Sequence, residues 1–141
     1  MNTGIVSSIG ILVARIGLGI IFLAHGLQKF RVWGIDGTAA SFDGMGVPAP
    51  TASAWFAAIV ETVGGAALIL GALVPLFGVL LFAVMAGAFF VAHIDNGIYV
   101  GDGGYELVLA LGVGALMLAA VGAGKFSVDS VLLGRRSRVA R

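Results

Sequence analysis

LFGVLLFAVMAGAFFVAHI, residues 76–94, decides the fold class: its 19 residues hold no ionisable side chain before His93 near their end. At about 1.5 Å per residue a helix of that length reaches roughly 30 Å, the thickness of a bilayer's hydrocarbon core. Three further segments have the same character. Ile5 to Leu27 is interrupted by Arg15 and His25, Ala52 to Val74 carries Glu61 as its only charge, and Tyr105 to Ala123 carries Glu106 near its start. These readings predict an all-α integral membrane four-helix bundle, a single domain over residues 1–141 with spans at 5–27, 52–74, 76–94 and 105–123.

Composition agrees and excludes the soluble classes. The chain is 60% hydrophobic and 11% charged, with a mean hydropathy of +1.10. A soluble domain carries about 25% charged residues, so a chain this poor in charge does not cover a globular surface. The 23 glycines suit membrane helices that approach one another closely. A formal net charge of +1 gives no footprint for nucleic acid. Cysteine is absent, which removes disulfides, thiol catalysis, c-type haem attachment and Cys-ligated metal sites. No metal site is expected.

The connections differ. Residues 28–51 read as a long polar loop ending in Val47-Pro48-Ala49-Pro50, and residues 95–104 as a turn-rich loop. Little more than Val74-Pro75 separates the second and third segments, so they are antiparallel neighbours. A cleavable signal peptide fits the first segment poorly, because Arg15 would interrupt its apolar region and no basic stretch precedes it. Four of the eight Lys and Arg residues, Arg135, Arg136, Arg138 and Arg141, fall in the last seven positions. The positive-inside rule places the basic tail 125–141 in the cytoplasm, and four spans then bring the N-terminus there too. Trp33, Trp55, Tyr99 and Tyr105 lie in or beside the two outer loops, as a one-sided aromatic belt. Lys29 and Arg31 fall on the side that the rule disfavours, outnumbered. The predicted location is the cell membrane, multi-pass.

Polar groups inside the spans carry the functional reading. Arg15 falls about 15 Å into its helix and Glu61 about 13 Å into its own from the opposite face. An unpaired charge at that depth costs at least ~2.5–3.5 kcal/mol, so the two are expected to pair, either as a structural lock or as a proton-linked pair. Arg15, Leu18, Phe22, His25 and Lys29 follow one helical stripe. His25, Lys29, His93 and Glu106 then gather near the outer face, a layer able to donate hydrogen bonds and exchange protons near neutral pH. Those are the needs of a quinone head group. The plainer account is that interfacial polar residues meet headgroups and water. Bis-histidine haem ligation by His25 and His93 rests on two lone histidines, and haem is not expected.

The stretch Arg15-Ile-Gly-Leu-Gly-Ile-Ile-Phe-Leu-Ala-His25-Gly-Leu-Gln-Lys29 resembles the opening motif of the DoxX family. So do Gly46-Val-Pro48, the run Glu61-Thr-Val-Gly-Gly65-Ala-Ala-Leu-Ile-Leu-Gly71, Tyr105-Glu106-Leu107, and Gly122-Ala-Gly-Lys-Phe-Ser127-Val-Asp129. The resemblance implies a four-helix membrane protein and carries over Arg15, His25, Lys29, Glu61 and Glu106. Relatives of the DoxD type are subunits of a thiosulfate:quinone oxidoreductase, and another sits in a membrane complex with a superoxide dismutase and a sulfurtransferase. Two functions follow as expectations. One is a quinone-linked subunit of a membrane redox or oxidative-stress complex, with other membrane or membrane-associated redox proteins as partners. The other is a non-catalytic anchor or assembly subunit. A homo-oligomer stays open as its assembly, and a transporter is disfavoured because no segment looks internally broken.

Overall fold

The computed structural model describes residues 3–132. The arginines at 135, 136, 138 and 141, on which the expected orientation rests, lie outside the described residues. Within them the fold is all-α, with no strand. The helices are α1 (Thr3–Arg31), α2 (Gly34–Gly44), α3 (Pro50–Leu70), α4 (Val74–Ala88) and α5 (Glu106–Val121). A π-helical turn, Phe89–His93, and a 3-10 turn, Ile94–Asn96, continue α4. Gly4–Arg31, Pro50–Leu70 and Val74–Asn96 are long and apolar enough to cross a membrane, and α5 is a shorter apolar helix of 16 residues.

Helix ends follow local chemistry. Pro50 opens α3, where its missing N–H is no loss. Gly71 ends it at φ 72°, a left-handed cap natural to glycine. Pro75 sits in the first turn of α4. Around the bundle, Val13, Ile20, Leu70, Phe90 and Met117 are exposed, the outward apolar surface of a protein bathed in hydrocarbon. The inner core joins Phe22, Leu68, Val74, Leu81, Leu111 and Leu118.

Two antiparallel crossings organise the bundle, and glycine sets both. On α1 against α3, a Cβ at Gly26 would collide with Thr62, and one at Gly19 would stand 2.7 Å from the Gly65 carbonyl. On α4 against α5, a Cβ at Gly78 would stand 2.7 Å from the Ala115 carbonyl. Backbones this close fix register, because sliding either helix by a turn would drive a side chain into the opposing chain. Residues 28–51 are not one loop. The first helix runs four residues beyond its expected end, and α2 packs on α3 with Thr38 and Ala39 buried. Gly34, Gly37 and Gly44 gave that segment the look of a turn region, while Thr38-Ala-Ala40 supplied a small apolar face that tertiary packing uses.

Candidate functional site

The buried stripe of α1 is Ser8, Arg15, Phe22 and Lys29, every seventh residue, with Gly19 and Gly26 beside it. Its register against α3 decides which charges meet. Glu61 sits in the middle of α3, about 16 Å from Pro50. Gly26 lies on Thr62, so the neighbour that reaches Glu61 is Lys29, whose long side chain leans back toward the N-terminus of its helix. Lys29 Nζ donates to Glu61 Oε2 at 2.6 Å, with the side chains only 10% and 3% exposed. The same ammonium makes a longer contact of 3.5 Å to the His25 carbonyl and lies 6.0 Å from the Trp33 ring centroid. Glu61 Oε1 accepts no hydrogen bond among the described residues. Thr62 Oγ1, one residue on, is buried without a partner among them.

The expected Arg15–Glu61 pair is therefore corrected. At the α1–α3 register, Arg15 lies level with Gly71, beyond the last turn of α3. Its Nη2 donates instead to the Phe126 carbonyl at 2.7 Å. The depth estimates misplaced it because they started α1 and α3 at opposite membrane faces without the offset that the glycine contacts impose.

The expected layer of His25, Lys29, His93 and Glu106 separates into three places. At 100° per residue His25 falls about 80° around α1 from Arg15, off the buried stripe. It is exposed, and its Nδ1–H donates to the Ile21 carbonyl at 2.9 Å. His93 Nδ1–H donates to the Gly103 carbonyl at 2.7 Å. Glu106 Oε1 accepts the Val100 N–H at 2.8 Å. Both residues thus brace the 97–104 loop, and just beyond it Tyr105 packs on Phe89 with tilted rings, centroids 5.0 Å apart. Among the described residues no hydrogen bond or ion pair joins them to Lys29. Phe22 is core, and Trp55 packs on Phe30 at 5.9 Å between centroids. Among the described residues, only Lys29 and Glu61 come together as a buried ion pair.

Sequence reasoning missed Asp129 as a working residue. Its carboxylate accepts the N–H groups of Leu73 at 2.8 Å and Val74 at 3.1 Å, and its own N–H donates to the Gly71 carbonyl at 3.0 Å. Those bonds hold Leu73 in its left-handed conformation at φ 50°. The available signal was that Asp129 is the single acid after the fourth apolar segment.

Comparison with known proteins places this arrangement in a family. The DoxX family model matches residues 10–94, which include most of α1, all of α2, α3 and α4, and both members of the ion pair. A protein of Bacillus subtilis (strain 168) named "Putative oxidoreductase CatD" is 32% identical over 103 residues, 73% of each chain. An uncharacterized protein of Haemophilus influenzae (strain Rd) is 32% identical over 133 residues, 92% of this chain and 87% of its own. No solved structure matches.

Proposed function

From the premise that this chain belongs to the DoxX family, we propose that it is a cell-membrane redox subunit that takes a quinone or quinol head group beside Lys29 and Glu61. The observation that carries the reading is the 2.6 Å ion pair in the middle of α3, its side chains 10% and 3% exposed. A buried pair used only as a lock has every lone pair and proton satisfied. Here Lys29 keeps donor capacity beyond Glu61, and Glu61 keeps Oε1 as an acceptor. A quinone oxygen needs the donor, and a quinol hydroxyl needs the acceptor. A quinol bound there would lose two electrons to a partner redox protein and two protons, one to Glu61 and one to water, while Lys29 would hold a ring oxygen by hydrogen bonding. The oxidoreductase wording in the name of the Bacillus relative supports the redox class.

The test is equilibrium binding of a short-chain quinone to the protein in nanodiscs. Lys29→Gln and Glu61→Gln should each weaken binding by roughly 1–3 kcal/mol, the scale of a hydrogen bond to a charged group. Lys125→Ala should leave it unchanged. If the wild type shows no saturable binding, the anchor reading replaces this one. The bracing of the 97–104 loop by His93 and Glu106 is the observation that favours that second reading.

A further inference from the structure

The bundle end at the α3–α4 turn is covered by residues 122–132, which lie across Arg15. Arg15 is 1% exposed. Beyond the Phe126 carbonyl it finds no other hydrogen bond: Nε and Nη1 are buried without partners among the described residues, and none of their acids stands within 4.0 Å, the Asp129 carboxylate acting on the guanidinium only from farther off. A guanidinium in that state keeps donor capacity that an oxyanion fills. The covering segment is rooted at Gly122 and Gly124, both at positive φ, and is pinned by the Asp129 bonds to Gly71, Leu73 and Val74. Its outer face turns Phe126, Val128, Val131 and Leu132 outward. An outward apolar face on a short segment at a bundle end is the character of one that lies in the membrane interface, where headgroup phosphates are the nearest oxyanions.

We propose that residues 122–132 form a strap that opens at the membrane surface and presents Arg15 to the phosphate of an anionic phospholipid. The phosphate takes the place of the Phe126 carbonyl and meets the nitrogens that the closed form leaves bare. The proposal is independent of the Lys29–Glu61 site.

The chain is free of cysteine, so Ala123→Cys, at a position of the strap itself that is 9% exposed in the closed form, reports opening by its thiol-labelling rate. Nanodiscs of phosphatidylglycerol should raise that rate over nanodiscs of uncharged digalactolipid by about fivefold or more, the low end of a ligand-driven shift between two states. Adding Arg15→Met should abolish the lipid response, and Arg15→Lys should keep part of it. Asp129→Asn, which weakens the pin, should speed labelling in digalactolipid alone. Equal rates in the two lipids, a response that survives Arg15→Met, or an Asp129→Asn variant that labels like the parent would each overturn the strap. Inorganic phosphate that reproduces the lipid response in digalactolipid would overturn the lipid as its source.

Discussion

Lys29 and Glu61 make one contact that is a stability term and, in the function proposed above, also a binding one. Taking a carboxylate and an ammonium out of water is expensive, and their attraction at 2.6 Å offsets that only while both are present. Glu61→Leu alone should therefore destabilise the protein by roughly 3–5 kcal/mol, because it strands a buried ammonium. Lys29→Met combined with Glu61→Leu should recover most of that loss in thermal unfolding in detergent. A double variant as unstable as the sum of the singles would show that the two side chains do not act as a pair. Sequence periodicity located all the charges that matter on α1 and α3 but matched them wrongly. Depth counted from helix ends does not contain the offset between two helices. That offset is fixed by Gly26 against Thr62 and Gly19 against Gly65, contacts that no spacing rule announces.

At the scale of the element, glycine divides into two populations with opposite consequences. Gly19, Gly26, Gly65 and Gly78 lie where a Cβ would enter a neighbouring helix, whereas Gly10, Gly17 and Gly87 meet nothing within 4 Å. Gly26→Ala should cost about 1–3 kcal/mol through overpacking and should loosen the Lys29–Glu61 pair along with the α1–α3 crossing. Gly17→Ala should instead be stabilising by about 0.5–1 kcal/mol, since it relieves only the helix penalty of glycine. Thermal unfolding of the two variants side by side reads the difference, and equal effects would remove the case for register set by close approach. The apolar segments showed where the long helices run to within a few residues. The glycines within them gave no sign of which pack and which face lipid. Helix α2 escaped notice for a related reason: its Gly and Asp content reads as a loop, and its burial against α3 outweighs that local preference.

Across the whole molecule, α1 is longer than its partners require. About 18 Å of helix, from Thr3 to Arg15, precedes the level of the α3–α4 turn, and the strap runs beside it. The bundle is thus staggered, with one end built by α1 and residues 122–132 and the other by α2 and the 97–104 loop. The sequence expectation of a cytoplasmic basic tail predicts that the 97–104 loop faces the exterior. Asp102→Cys should react with an impermeant thiol reagent on intact cells, and Arg138→Cys should react only after permeabilisation. The reverse pattern would invert the orientation. The stagger also sets a timetable for synthesis. Glu61 follows Lys29 by 32 residues, whereas the Phe126 carbonyl follows Arg15 by 111. At 5–20 residues per second the ribosome needs roughly 5–20 s to supply the second partner. For that interval the nascent first helix carries an arginine without its Phe126 partner, so the translocon or a lipid headgroup must hold it until residue 126 emerges.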